Sequence, residues 1–290
     1  MFPYKHSDGR VLLFATIVAP YGHVYDMEKF LAGAPNQGLI GRMPLPDNAD
    51  RAGRARGYHD FYVAYDPAVR LDKFYGAGAG GYYVYDVSQP EAPRLLASVT
   101  GVAGVSYGHT FTPDPTGRYA VTEVEYQYTP LRIFDLKPAI DGQVKTISRP
   151  VGAWLASWDG NPHNHEVRWP YVFVSGYMDG LQVFNVMDPT NPYTVGYYDT
   201  HSGRLEEGLE IDMATGGIRP DNSIFNGLWG VDVRNADGLI VVSDFRTGFW
   251  SFRMDGFDGW NGNQWGMPNI SSVQDWDNGP EGAPKPGRVS

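Results

Sequence analysis

Five segments of this chain repeat one short pattern, an alternating strand that carries an aromatic residue and runs into a turn. They are "GHVYDM" at 22–27, "GYYVYDV" at 81–87, "PLRIFDL" at 130–136, "GLQVFNV" at 180–186 and "GFWSFRM" at 248–254. The aromatic positions are Tyr25, Tyr85, Phe134, Phe184 and Phe252, separated by 60, 49, 50 and 68 residues. A unit of that length buries little on its own, so its recurrence requires neighbours to stack against one another.

Each of these strands is preceded by another, "VLLFATI", "LDKFYGAG", "RYAVTEVE", "YVFVSGY" and "LIVVSDF". Most are followed by a further one, such as "RLLASVT" or "YTVGYYDT". Repeats two to five also open with a strand, "HDFYVAYD", "HTFTPD", "HEVRW" and "VDVRN". Four short antiparallel strands per unit predict an all-β chain, a β-propeller of about five blades. The turns agree: "DVSQPEAP" and "NVMDPTNP" place Pro90 and Pro93, and Pro189 and Pro192, where the chain leaves for an outer edge strand. "GAGAGG" at 76–81 lacks the helix and the Lys-Ser/Thr of a phosphate loop and reads as a hairpin.

Composition supports this class. Of 290 residues 36 are Gly and 22 Pro, with 14% aromatics and 19% charged residues, a turn-rich β composition with little helix. A net charge of −10 argues against a broad phosphate-neutralising surface and therefore against nucleic acid as partner. Arg51, Arg54 and Arg56 form the one dense basic stretch and read as a solvated link. No run has the apolar length of a membrane helix, which predicts no membrane insertion, and the amino end lacks the order of a signal peptide. With no cysteine, any metal must be held by His, carboxylates or carbonyls.

The stretch "YVFVSGYMDGLQVFNVMDPTNPYTVGYYDT" resembles the LVIVD-repeat family, whose units end in "GL-x-V-x-D-V-S-x-P-x-x-P", and "GLWGVDVRNADGLIVVSDFRTGFWSF" resembles a closing blade of that family. The resemblance covers most of residues 80–254 and implies a propeller placed outside the cytoplasm, extracellular or periplasmic. A weaker similarity in strand and turn wording links the chain to the selenium-binding protein and methanethiol oxidase family, propellers that carry metal on histidines.

Repeat one differs from the others, because "HSDGR" at 6–10 aligns with the turn "DPTGR" at 114–118 and leaves no clear innermost strand before it. The expected organisation is a propeller over 1–254 with an incomplete first blade, possible membership of a larger propeller, and a tail over 255–290 without strand pattern.

Candidate chemistry lies at the start of the inner strands, where His59, His109 and His165 recur at intervals of 50 and 56 residues. A shared register predicts that the three imidazoles converge near the axis, an arrangement suited to Cu, Fe or Zn. His163 falls just above this column, and Glu123 and Glu125 end the second strand of the third repeat toward the same face, as acid, base or ligand. The competing reading makes these histidines repeat residues bonded to backbone carbonyls. His6, His23 and His201 fall outside the column and read as surface or loop residues.

Tyr58, Tyr107, Tyr126, Trp158, Tyr177 and Trp229 belong to the links and hairpins of that face and predict a pocket for a small, sugar-like ligand. The long link 200–228 reads as a lid over it. No nucleophile elbow, His-Glu-x-x-His or dinucleotide fingerprint is present. Two functional expectations follow: a metal-dependent oxidoreductase acting on a small molecule, or a non-catalytic secreted or surface propeller that binds a protein or polysaccharide.

Overall fold

The alternation in the repeats folds into five small antiparallel sheets arranged as a five-bladed β-propeller, seen in a computed structural model that describes residues 1–47, 49–51, 53–66, 69–200, 209–211, 218–220 and 225–260. The first blade comprises β1 (Phe2–Lys5), β2 (Val11–Ala15), β3 (Tyr21–Asp26) and β4 (Leu39–Pro44), and the second β5 (Tyr58–Asp66), β6 (Leu71–Gly78), β7 (Gly81–Asp86) and β8 (Arg94–Thr100). The third begins with β9 (Thr110–Pro113), β10 (Tyr119–Glu123) and β11 (Leu131–Asp135). The chain then crosses to pair β12 (Thr146–Ile147) in parallel with β8 before closing the third blade with β13 (Gly152–Trp154).

The fourth blade holds β14 (Asn164–Arg168), β15 (Tyr171–Ser175), β16 (Leu181–Asn185) and β17 (Tyr193–Tyr198). A small hairpin of β18 (Leu209–Ile211) and β19 (Ile218–Pro220) precedes the fifth, which comprises β20 (Leu228–Val233), β21 (Ile240–Asp244) and β22 (Gly248–Phe252). Two single-turn α-helices, Met27–Leu31 and Lys137–Ile140, and a 3-10 helix, Pro35–Gly38, complete the regular elements described.

Two expectations change at the ends of the chain. The innermost strand that repeat one lacked in the alignment is β1, so its sheet has four strands, and "HSDGR" forms the turn to β2. The packed body also runs past residue 254: Phe257 and Trp260 join the core of the later blades, and the Trp260 indole N–H donates to the Trp169 carbonyl. Residues 261–290 of the expected tail, and most of the link expected to act as a lid, lie outside the described residues.

The repeated aromatics mark a repeated device. All five lie on the third strand of a blade, and in blades one, two and four a β-bulge falls at Tyr25, Tyr85 and Phe184, sharpening the local twist that a propeller blade needs. The proline turns do a second job. A Cβ on Gly41 of β4 would meet the Pro90 carbonyl oxygen at 2.3 Å, and one on Gly152 of β13 would meet that of Pro189 at 2.0 Å, so each turn seats on a side-chain-free spot of the preceding blade.

Three apolar clusters fill the spaces between blades, around Phe14 and Phe74, around Tyr75 and Phe111, and around Trp154, Phe173 and Phe184. Trp154 stacks on Phe184 with ring centroids 4.4 Å apart. The glycine-rich stretch is the hairpin expected, with Gly80 and Gly81 at φ of 80° and 141°.

Candidate metal and ligand site

The inner strands β5, β9 and β14 bring their first residues together at one end of the axis. His59 lies on β5, and its ring sits 3.9 Å from that of His109, centroid to centroid. His109 directly precedes β9, and the antiparallel register of β9 with β10 sets Glu123 opposite Thr110. The His109 backbone N–H donates to the Glu123 carbonyl at 3.0 Å, which carries Glu125 to the same rim two residues later.

One ligand atom each of His59, His109 and Glu125 lie within 4.8 Å of one another. His59 Nδ1 and His109 Nε2 are buried and have no hydrogen-bond partner. The Glu125 carboxylate, whose side chain is 26% exposed, is 3.6 Å from His109 Nε2 and 3.7 Å from His163 Nε2. Two free imidazole nitrogens and one carboxylate oxygen are a donor set that Zn, Fe and Cu all accept, and metal–ligand distances of ~2.0–2.2 Å require only a modest contraction of this cluster.

The third histidine of the expected column lies one layer deeper, behind Glu123. His165 is fully buried on β14, with Nδ1 3.1 Å from Glu123 Oε2. Glu123 also faces His109, Oε1 lying 3.5 Å from its Nδ1, so the buried carboxylate stands between the two imidazoles. Of the three histidines expected to converge, His59 and His109 share the compact group with Glu125, while His165 adjoins it through Glu123. His163 Nδ1 lies 2.6 Å from the Trp229 carbonyl, as the competing structural reading expected for such residues, while its ring stacks on the Trp229 indole at 4.9 Å.

The electrostatics follow from burial. Desolvation is the first cause lowering the pKa of His59 to about 4, with Arg56 and Arg54 adding to it. Burial likewise lowers His109 to about 2, assisted by the other three imidazoles, His163 to about 4 and His165 to about 3. All four rings are therefore neutral near pH 7, the protonation state in which an imidazole nitrogen can ligate. Burial also pushes Glu123 well above the usual carboxylate range, raises Glu125, and raises Asp60 to about 6.

The aromatic residues divide. Tyr107 meets the His59 ring edge-on at 6.0 Å, and Tyr177 meets that of His163 at 5.3 Å while its hydroxyl donates to Glu125. Trp229 is 46% exposed over His163, and Tyr126 stands at the rim beside Arg54. Trp158 is 74% exposed and touches Tyr128. Tyr58 is corrected to a core residue: it is buried against Phe74 and Tyr83 between the first two blades, and its hydroxyl donates to the Pro44 carbonyl.

No family model matches the sequence, and no curated protein matches it. Solved structures do. The periplasmic gluconolactonase PpgL of Pseudomonas aeruginosa is similar at 15% identity and a TM-score of 0.51, over 94% of this chain and 70% of its own. A candidate 6-phosphogluconolactonase from Bacteroides uniformis is similar at 11% identity and a TM-score of 0.51, over 86% of this chain and 65% of its own. Sqt1 from Chaetomium thermophilum is similar at 15% identity and a TM-score of 0.52, over 87% of this chain and 58% of its own. This chain therefore spans between 58% and 70% of these neighbours' lengths. At such identities the likeness is one of fold.

Several residues at the site carry no repeat signal. Asp60 lies with its carboxylate 3.9 Å from His59 Nδ1, Thr110 donates to the Asn164 side chain at 3.1 Å, and Tyr62 donates to Glu166 at 3.2 Å. The neighbours of His59 and His109 in "HD" and "HT" were the available hint. Outside the site, His6 is corrected from surface to core, with Nε2 3.0 Å from the Val87 carbonyl and 3.4 Å from Asp72. His23 is half-buried between Tyr21 and Tyr25, and His201 lies outside the described residues. Among the described residues no helix is long and apolar enough to cross a membrane.

Proposed function

We propose that this chain is a metal-dependent enzyme acting on a small, sugar-like molecule at the axial His/Glu cluster, with hydrolysis of a lactone as its reaction. The observation that carries the reading is the pair of unpartnered nitrogens, His59 Nδ1 and His109 Nε2, on two histidines that group with the Glu125 carboxylate. The neighbours named as a gluconolactonase and a 6-phosphogluconolactonase favour the lactone, and the one named as periplasmic favours a placement outside the cytoplasm.

A divalent ion held there would supply Lewis-acid polarisation of a carbonyl and lower the pKa of a water. The chain's own residues prepare the place. His59, His109 and Glu125 would hold the ion, while Thr110, whose hydroxyl donates to Asn164 and lies 3.0 Å from His109 Nδ1, fixes that nitrogen as the donor and leaves Nε2 free. Tyr177 holds Glu125 by its hydroxyl, and His163, anchored to the Trp229 carbonyl, closes the far side of the carboxylate. Tyr107 and Trp229 supply flat apolar walls of the kind that pack against a sugar ring. Hydrolysis breaks the bond between the carbonyl carbon and the ring oxygen, adds hydroxyl to the carbon and leaves a proton on the released alcohol.

The same donor set, two imidazoles and one carboxylate, is also that of redox iron sites, so a metal-dependent oxidoreductase is the second reading. Membership of the LVIVD-repeat family, rather than of the selenium-binding family, is part of the proposal and is supported by the proline turns seated on Gly41 and Gly152.

Metal content by mass spectrometry on protein purified without chelators, followed by pH-stat hydrolysis of gluconolactone and by oxygen consumption, separates these readings. Metal retention near one ion per chain, lost in His59→Ala, His109→Ala and Glu125→Ala together with a fall in hydrolysis of about 10²-fold or more, is the expected result. Metal-dependent oxygen use without hydrolysis selects the second reading. A folded protein that takes up no transition metal overturns both in favour of a non-catalytic propeller that binds a protein or polysaccharide.

A further inference from the structure

The arginine-rich link between the first two blades is exposed, as expected of a solvated connection, and the structure lays it beside the histidine cluster. Arg54 lies with its guanidinium carbon 4.4 Å from the centre of the Tyr107 ring, and Tyr107 is the ring that meets His59. The same guanidinium reaches the Tyr126 hydroxyl at 3.4 Å, so it is held from two sides. Arg56 is tied to the same tyrosine, its carbonyl accepting from the Tyr107 hydroxyl at 3.4 Å. The link is braced internally, since the Arg54 backbone N–H donates to the Arg51 carbonyl at 2.7 Å and the Arg51 guanidinium returns a hydrogen bond to the Arg54 carbonyl at 3.0 Å.

What these arginines lack is an ion-pair partner, since Asp60 acts on Arg56 only from beyond that distance. Elsewhere Arg10 pairs with Asp8 and Glu91, Arg94 with Asp86, Arg118 with Asp135, and Arg234 and Arg253 with Asp237. Among the described residues no carboxylate lies within ion-pair distance of Arg51, Arg54 or Arg56, in a chain that carries 33 acidic and 23 basic residues. Excess acid elsewhere and unpaired base here focus positive potential on one spot. A cavity of about 420 Å³ adjoins the link, lined by Tyr21, Arg42 and Arg51, with Asp47 as its one acidic side chain. Its Pro20 wall abuts Gly57, two residues before His59, since a Cβ on Gly57 would meet the Pro20 carbonyl carbon at 2.6 Å.

We propose that Arg54 and Arg56 form an anion subsite at the mouth, so that the molecule taken up beside His59 and His109 carries a carboxylate or a phosphate group. A planar guanidinium held by an aromatic face is preorganised for bidentate contact with either group. The proposal rests on reading the mouth as a small-molecule site, and it is independent of which reaction occurs there.

Three probes that differ in charge test it: gluconate, glucose 6-phosphate and glucose, titrated calorimetrically with the His59 ring resonances followed in parallel. At least one anionic probe is expected to bind about tenfold or more tightly than glucose, to shift His59, and to weaken as salt rises. The gluconate and glucose 6-phosphate arms identify which anion is preferred. The double variant Arg54→Gln/Arg56→Gln is expected to lose that preference while melting as the parent does.

Equal affinity for charged and uncharged probes, or unchanged anion affinity in a folded double variant, overturns the subsite. Should the variant not fold, salt-independent binding of the anions to the parent protein overturns it equally. Hydrolysis of uncharged gluconolactone keeps the two proposals apart: turnover by a parent protein that shows no preference for the anionic probes removes the subsite and leaves the catalytic reading, whereas anion preference in a parent protein without turnover does the reverse.

Discussion

The Tyr177 hydroxyl donates to Glu125 Oε1 at 2.5 Å, joining the hairpin of the fourth blade to the end of the second strand of the third. Tyr177 is held for this in the left-handed region, at φ 45°, by a pair of 2.9 Å backbone hydrogen bonds with Leu228 of the fifth blade. A bulky residue in that region signals a constraint set by its surroundings, and here one tyrosine couples three blades at the rim of the histidine cluster.

Tyr177→Phe removes the hydroxyl and keeps the ring. Affinity for a divalent ion, read by competition with a chromophoric chelator, is expected to fall on the order of tenfold, as for other groups that orient a metal ligand. Stability is expected to change by no more than about 1 kcal/mol, the worth of one hydrogen bond. Unchanged affinity would separate Tyr177 from the positioning of Glu125.

Gly152→Ala tests how the blades seat. The new Cβ would meet the Pro189 carbonyl oxygen at 2.0 Å, which backbone must move to relieve, and a cost of about 1–3 kcal/mol is expected by denaturant unfolding. Gly196→Ala, whose Cβ would find only Val183 at 4.0 Å on an outer strand, is the control and is expected to stay within about 0.5 kcal/mol of the parent.

Arg168 is completely buried on β14, with one guanidinium nitrogen 2.9 Å from Glu166 and another 2.6 Å from the Val233 carbonyl of the fifth blade. Arg168→Ala withdraws the cation from a buried carboxylate and is expected to cost about 3–5 kcal/mol. Adding Glu166→Gln to that variant is expected to recover part of the loss, because the charge left behind is then removed. A double-variant cycle by chemical denaturation measures both steps.

Asp114 gives a pH dependence with a definite sign. Burial, opposed by hydrogen bonds from Thr116 and the Tyr119 and Arg118 backbone, raises its pKa to about 6 from 3.8. The folded state then binds the proton more tightly than the unfolded chain, so this group's contribution is fully present below about pH 4 and is lost as pH rises through 6. Asp114→Asn removes the effect. The stability of the variant relative to the parent is expected to rise by about 2–3 kcal/mol between pH 4 and pH 7, and Asp60 and Glu123, present in both proteins, cancel from the comparison.

The blade architecture was legible in the chain because each blade is made by local alternation and closed by turns whose chemistry is written in a few residues. Tyr85, Phe134 and Phe184 are core residues on third strands as their column implied, and Pro90 and Pro189 turn the chain where expected. The missing strand of repeat one was obscured because "FPYK" carries no alternating pattern; β1 is recognised by its pairing with β2, and pairing is a tertiary fact.

The candidate site was legible only in part. Recurrence identified His59 and His109, and proximity to the strand end identified Glu123 and Glu125. Register along a strand states which residues are equivalent within blades, but not where equivalent side chains point once the blades are rotated about a common axis. In the fold His165 is buried against Glu123, Glu125 groups with His59 and His109, and Tyr58 lies in the core. The arginines of residues 51–56 tell the same lesson: sequence marked them as a basic link, and only the fold, by laying that link over Tyr107, set their charge beside the histidines.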